Sequence, residues 1–521
     1  MLHSFSLHET TTDEVSQLIA ALNPRKGNRL NDIPTSVIKI SNHIISPILS
    51  KIFNACMSEG RYPDSLKIAH VVPIHKKGSR DECSNYRPIS LLSNFNRLFE
   101  KILYTRIYKY FEKFNLLLNY NQYGFRKNHS TNMAAYDIIE SKIADLDRDK
   151  VTCAVYLDLS KAFDTVDKKL LVKKLSQYGI RGKPLELLQN YLNNRQQCTN
   201  INGILSDLIH IELGVPQGSN LGPLLFLIYI NDLPGVSSLI TKLFADDTCL
   251  LFSANSITEL QQIANSEISK IEKGLISNRL TLNHTKTKFM IVSKRGRSAA
   301  INIRINNHEI EQVNSIVYLG LTIDSKLTWD SHIKQLESDL SVVSGIMSKL
   351  RYYVDFNCLK SYYYAKVFSS LQYGILAWGG CNESKLHKLN VIHNNILRLM
   401  VFRNFPEGVR ISNNAMYKSL GLLQLREIYT LELGKFMHKA YYKALPYCLN
   451  NMFTRIENVH QYPTSSSRSR VYYRKINKSE KSKNWISSAG IELWESLNYS
   501  LRNLNFFQFK CAFKKQLIND Y

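Results

Sequence analysis

The stretch TKLFADDTCLLFSAN, residues 241 to 255, sets Asp246 and Asp247 side by side inside an otherwise apolar, strand-like run. Two readings are open. Asp tolerates left-handed backbone and bonds its own neighbours, so Asp-Asp can join two strands as a hairpin turn. Alternatively the pair is a cation site. Two ionised carboxylates ~5 Å apart repel by roughly 3 kcal/mol at an effective dielectric of ~20, and a cation between them removes that penalty. Taken alone, the pair favours the turn.

The bulk composition narrows the classes. A chain of 521 residues has room for several domains. Its 44% hydrophobic and 21% charged residues describe a globular protein. The 67 Lys and Arg against 43 Asp and Glu leave a net charge of +24, which points to a polyanionic partner, nucleic acid ahead of membrane. The nine cysteines form no C-x-x-C pair, so neither a zinc module nor a disulfide framework is signalled. The N-terminus lacks a signal-type apolar core, and LLFLIYI, residues 224 to 230, is too short to span a bilayer. The expectation is an intracellular chain of the cytoplasm or nucleus, with no membrane partner.

Local patterns predict the elements. TTDEVSQLIAAL opens with a Thr cap and acidic residues, and the helical spacing that follows runs to Gly60. IAHVVPIHKKGS predicts a strand leading into a basic turn, and ISLLSNFNRLFEKILYTRIYKYFEKF a helix. VTCAVYLDLS, residues 151 to 160, is β-branched and alternating, and KAFDTVDKKLLVKKLSQYG predicts a helix ending at Gly179. A Gly/Pro-rich loop then enters an apolar helix, and the Asp-Asp hairpin follows. A helix over 257–278, mixed strands over 284–323 and predominantly helix over 328–400 complete the pattern.

Asp158 stands where the strand VTCAVYL gives way to a helix. If that strand pairs with the Asp-Asp hairpin, three carboxylates meet at one sheet edge. Such hard oxygen donors suit Mg²⁺ and form the protein half of a two-metal nucleotidyl-transfer site. VYLDLSKAFDTVD, GVPQGSNLGPLLFLIYINDLP, LFADDTCLLF, NRLTLNHTKTKFMIV and VYLGLTIDSKLTW occur in this order and resemble motifs A to E of a reverse transcriptase palm. The Phe-Ala-Asp-Asp form and the Pro-Gln-Gly loop resemble the non-LTR, LINE-like, jockey-type retrotransposon enzymes. Upstream, VVPIHKKGSRDECSNYRPISLLS and NQYGFRKNHST resemble the fingers blocks of the same family.

The resemblance implies roles position by position. Asp158, Asp246 and Asp247 would be catalytic metal ligands, with the Leu159 carbonyl a further oxygen and Asp247 the looser partner. The cofactor implied is Mg²⁺, two ions, with Mn²⁺ as the substitute. Phe163 would lie under the sugar of the incoming nucleotide and crowd a 2′-hydroxyl; the other reading of Phe163 is a core ring. Pro216, Gln217 and Gly218 would pack against the templating pair. Lys286 would protonate the departing pyrophosphate. Lys76, Lys77 and Arg87 would clasp the triphosphate, and Arg126 and Lys127 would shape the template groove. Lys168 stands where relatives often carry His, Asn220 where a small apolar residue is commoner, and RKGNRLNDIP replaces a Gly-rich run.

The implied fold is α+β, a right-hand polymerase. Its parts would be an N-terminal helical extension (1–59), fingers (60–150), a palm with antiparallel sheet and flanking helices (151–325), a helical thumb (326–410) and a mainly helical, basic C-terminal region (411–521). In that last region Arg468, Arg470, Arg474 and Lys475, interleaved with Tyr472 and Tyr473, suit nucleic acid. The implied activity is RNA-directed DNA synthesis by a mobile element, with RNA template, DNA primer or nicked target DNA, and deoxynucleotide triphosphates as partners. The alternatives are an inactive element copy that only binds nucleic acid, and an intron-maturase-like polymerase. No endonuclease-sized segment precedes these motifs, which suggests the polymerase portion of a longer element or a truncated copy. Oligomeric state has no signal in the sequence.

Overall fold

The computed structural model describes residues 3–25, 29, 32–116, 120–294, 301–305, 308–402, 412–459, 471–474 and 479–521. Strands are numbered in chain order. Among the described residues one sheet has the order β2 (Tyr86–Leu91), β1 (Ile68–His75), β4 (Arg195–Ile201), β5 (Ile204–Leu205), with β6 (Ile209–Ile211) also paired to β4. A second has the order β12 (Glu311–Gln312), β9 (Lys288–Val292), β3 (Val151–Leu157), β8 (Asp247–Ala254), β7 (Ile240–Phe244). Two hairpins stand apart: β10 (Arg304–Ile305) with β11 (His308–Glu309), and β13 (Ser315–Tyr318) with β14 (Leu321–Asp324).

The helices form where caps and apolar spacing permit. Thr11 caps the helix Thr12–Ala20 by accepting the Glu14 N–H, and Gly60, at φ 73°, closes Asn42–Glu59. Ser93 caps Asn94–Lys113 in the same way. Residues 161–166, by contrast, are not helical, with a turn over 161–164. The helix expected there begins only at Lys168, because Asp167 caps it by accepting the Leu170 N–H. Before that cap, Phe163 and Val166 give their carbonyls to Val215 and Gly214 across the loop. Residues 195–211, inside the span 151–325 expected as palm, add β4 and β6 to the β1 sheet. There β4 lies parallel to Ile68–Val71, and the pairing stops before Pro73, which has no N–H to donate.

The second sheet positions everything that follows. β3 lies at its centre, antiparallel to β8 and to β9. It is buried along both faces, which is why it reads as a nearly continuous apolar run. On one face Ala154, Tyr156, Cys249 and Met290 join a core shared with the helices after residue 330. On the other, Cys153, Val155, Leu157, Leu250 and Phe289 join a core with Asn94–Lys113 and the helix Gly222–Ile230, buried at every residue but Pro223. All nine cysteines are free, and no described helix is long and apolar enough to cross a membrane.

One charge lies inside the first core. Lys142 is 0% exposed and donates to the Tyr156 hydroxyl at 2.8 Å. Burial pushes its ammonium down from 10.5 to about 8. The folded chain therefore binds fewer protons than the unfolded chain between about pH 8 and 10.5 at this site, and stability rises with pH across that window. Lys142→Met is expected to stabilise the protein by about 2 kcal/mol at pH 7. In chemical denaturation at several pH values the gain should shrink as pH rises through the window, whereas a pH-independent gain would contradict a buried charge.

Candidate active site

The register of β3 and β8 brings the acidic residues together. Their pairing ends at Leu157↔Thr248, so Asp158 follows β3 at the point where Asp247 opens β8. Phe244↔Asp247 closes the β7–β8 hairpin, with Ala245 (φ 57°) and Asp246 as its turn. The turn and the carboxylate cluster are one feature. The fingers-like block pins it: Tyr123 N–H donates to the Leu243 carbonyl at 2.7 Å and Ala245 N–H to Gln122 Oε1 at 3.1 Å. A Cβ on Gly124 would stand 2.3 Å from the Ala245 nitrogen, so the approach requires glycine.

Asp158 is held by its backbone. Its N–H donates to Thr287 Oγ1 at 3.3 Å and its carbonyl accepts from Asn283 N–H at 2.8 Å. Leu159 faces Leu282 in an isolated antiparallel bridge, bonded through Asp158 and Ser160, so the Leu159 carbonyl takes no part in it. Lys286 Nζ lies 3.6 Å from Asp158 Oδ2. Burial raises the Asp246 carboxyl above its usual range, and the charge of Asp158 adds to it. Asp247 is pushed up to about 6, first by desolvation and then by Asp246 and Asp158. Asp247 does keep a solvent-exposed side, and the protein packed around the rest of it supplies the desolvation. Lys76 and Arg87, exposed on the β1–β2 hairpin, oppose both shifts and so place positive charge above the same edge.

Among the described residues no group of three or more Asp, Glu, His and Cys side chains is arranged to hold a metal ion by itself. The donor set nevertheless suits a hard divalent cation. It offers carboxylates that raise one another's affinity for positive charge, beside a peptide carbonyl outside the bridge pairing.

The remaining predicted positions separate into those near this edge and those elsewhere. Phe163 stacks on the buried Phe226 with ring centroids 4.4 Å apart and meets Phe125 edge-on, so it lies at the border of the core. Gln217 donates to Asp164 Oδ1 at 2.8 Å, and its carbonyl accepts the Ser90 N–H at 2.7 Å. The Pro216 carbonyl accepts from the Ser219 hydroxyl. Lys77 is exposed in the turn after Lys76. Arg126 donates to the Gln122 carbonyl at 3.1 Å, and Lys127 is exposed with its ammonium 5.9 Å from the Tyr108 ring. Arg474 is engaged by Glu495 at 3.0 Å and Glu492 at 3.6 Å. Arg468, Arg470 and Lys475 lie outside the described residues.

Four further residues shape the site. Asp164 and Ser90 hold Gln217, and Thr287 holds Asp158. The fully buried Glu100 accepts from the Asn220 N–H at 2.6 Å, while the Asn220 amide donates to the Arg97 carbonyl at 2.9 Å. Those two bonds account for the polar residue at position 220. Asp164 was visible within KAFDTVD, but its partner became apparent only when the chain folded. Lys168, the other departure, donates to the Ile211 carbonyl and is pushed down to about 8 by burial and then by Arg195. It ties β6 to its own helix.

Gly218 sits at φ 112°, and a Cβ there would meet the Ser90 carbonyl at 2.8 Å. Gly218→Ala is expected to cost about 2 kcal/mol or more and to part the loop from β2. Denaturation midpoints would show it, and a loss under about 0.5 kcal/mol would contradict the constraint.

The model of the reverse transcriptase (RNA-dependent DNA polymerase) family matches residues 74–323. The RNA-directed DNA polymerase from mobile element jockey of Drosophila melanogaster is 25% identical over 410 residues, covering 76% of this chain and 44% of that protein. The probable RNA-directed DNA polymerase from transposon BS of the same organism is 25% identical over 446 residues, covering 81% and 48%. Apo telomerase from Candida tropicalis aligns in three dimensions with a TM-score of 0.39 at 12% identity, over 74% of this chain and 66% of that one. The chain thus spans less than half the length of these two curated relatives. The fold is α+β, residues 74–323 match the reverse transcriptase family, and over 76% and 81% of its length the chain is similar to the RNA-directed DNA polymerases of jockey and transposon BS.

Proposed function

We propose that this chain extends a DNA primer on an RNA template, adding deoxynucleotides at the edge formed by Asp158, Asp246 and Asp247. The observation that carries the reading is the convergence of those three carboxylates beneath Lys76 and Arg87. Asp158 and Asp246, with the Leu159 carbonyl, would hold divalent cations, Mg²⁺ in the first instance, which when bound would lower the pKa of the primer 3′-hydroxyl and neutralise charge on the leaving pyrophosphate. Lys76, Lys77 and Arg87 receive the triphosphate, the arginine through its forked donors. Lys286, 3.6 Å from Asp158, carries a proton at the edge where pyrophosphate departs. Gln217 and Gly218 line the nascent pair from a loop tied to both sheets. Arg126 and Lys127 flank the template, and the parts divide as fingers 60–150, palm 151–325, thumb 326–410 and a basic C-terminal region.

Primer extension tests the assignment. The full chain, given an RNA template, a DNA primer and Mg²⁺, should extend with deoxynucleotides, and Asp246→Ala with Asp247→Ala should lower the rate by at least about 1000-fold. A folded wild-type protein that binds the hybrid and never extends it would favour the binding-only copy.

Phe163 carries the sugar selection. Phe163→Ala is expected to raise ribonucleotide use relative to deoxynucleotide use by about tenfold or more in competition assays, consistent with a steric clash worth over ~1.4 kcal/mol. Equal losses with both nucleotides would assign Phe163 to the core alone.

A further inference from the structure

Away from the polymerase edge, a cavity of about 500 Å³ opens between the helix Leu425–Tyr441 and the C-terminal helix Phe506–Asn519. Tyr442, Phe506, Leu504, Asn503 and Lys439 line it, and no carboxylate does. Its aromatic walls stay partly open, Tyr442 being 48% and Phe506 36% exposed. They are also held in place. The buried His438 bonds the Leu504 carbonyl at 2.8 Å and lies against both rings, at 4.7 Å from Tyr442 and 5.7 Å from Phe506. The Tyr442 hydroxyl donates to the Arg502 carbonyl at 3.3 Å. Lys439 Nζ sits 5.0 Å from the Phe506 centroid. Lys443 follows Tyr442, Lys510 lies one helical turn beyond Phe506, and both are exposed.

A second observation links this cavity to the polymerase. Lys439 also lines a neighbouring cavity of about 310 Å³. Gln372, Lys435 and, from the block GFRKNHST, Ser130 share that lining. One lysine therefore stands at the seam between the C-terminal aromatic pocket and the fingers-like segment.

We propose that the Tyr442–Phe506 cavity holds an unpaired base of a single-stranded nucleic acid, whose flanking phosphates meet Lys439, Lys443 and Lys510. A ring-walled slot with cations at its mouth and no anion inside matches the two halves of a nucleotide. The Asn503 amide offers a donor and an acceptor to a base edge. An apolar protein side chain would fill the slot but would make no use of the lysines. Continuity with Ser130 identifies the strand as template on its way to or from the active edge, and this identification rests on the polymerase reading above.

Fluorescence anisotropy on the full chain tests it, with labelled, unstructured oligonucleotides of about twenty residues in ribo, deoxy and abasic forms. Phe506→Ala should weaken binding of the base-bearing strands by about tenfold, Phe506→Tyr should restore it, and Lys439→Gln should cost about threefold. The abasic strand should not distinguish wild type from Phe506→Ala. A preference for the ribo strand would assign the pocket to template RNA, and equal binding to either single strand would assign it to the base alone. Unchanged affinity in both Phe506→Ala and Lys439→Gln, at unchanged melting temperature, overturns the proposal, as does an equal loss on the abasic strand. If Phe506→Ala melts early, Lys439→Gln and Tyr442→Leu decide in its place. Extension of a short primer–template hybrid reads the polymerase separately. Its failure in wild type with Phe506-dependent strand binding intact would sink the polymerase assignment and leave the pocket standing.

Discussion

Three carboxylates at one sheet edge repel one another, and most of the surrounding structure can be understood as what imposes that arrangement. The register Leu157↔Thr248 decides it, because a slip of one residue would turn Asp247 away and move every buried side chain of β8 to the wrong face. The two cores on either side of β3 penalise that slip. Repulsion that would cost stability in an ordinary sheet is here tolerated because the flanking burial is extensive, which is the usual relation between a strained site and its scaffold.

The same edge is tied to the first sheet through a single loop. Gln217 reaches Asp164 with its side-chain amide and accepts the Ser90 N–H on its backbone carbonyl, so β2 and the turn after Asp158 share one residue. Lys76 and Arg87 lie on the hairpin that Ser90 belongs to, and they are the cations whose charge opposes the upward pKa shifts of Asp246 and Asp247. The loop at Gln217 and the hairpin carrying Lys76 and Arg87 are therefore joined by a hydrogen bond, so a shift of one moves the other.

The carboxylate edge was legible in sequence because its signals are local: a strand ending before Asp158, a Pro-Gln-Gly loop and a paired Asp within an apolar hairpin. Caps at Thr11 and Gly60 were legible for the same reason. β4 was not. RQQCTNI is polar and exposed in alternation, and it becomes a strand only by lying parallel to β1 more than a hundred residues away. The non-helical stretch at residues 161–166 was also hidden, because its form depends on Val215 and Gly214 bonding back across the loop. Local pattern names an element, whereas non-local pairing decides whether a polar stretch becomes one.

Buried charge at the seams shows why these parts hold one arrangement. Lys242 on β7 bonds Asp137 at 2.5 Å and Asn121 at 2.8 Å, and Tyr123 donates to the same Asp137 carboxylate at 2.6 Å. Hydrophobic contact alone would join these elements as firmly but would allow them to slide. Burying an ion pair is costly unless each partner is satisfied, so only the geometry that satisfies all three groups is stable. Cys448 of the C-terminal region then rests on the Asn121 amide oxygen at 3.4 Å and faces the Tyr120 carbonyl at 3.7 Å. The segment NQYGF, which pins the Asp246 turn through Gln122 and Tyr123, is thus also the platform on which the C-terminal helices dock. A displacement of those helices would reach the Asp246 turn through two hydrogen bonds, without passing through the core of the sheet.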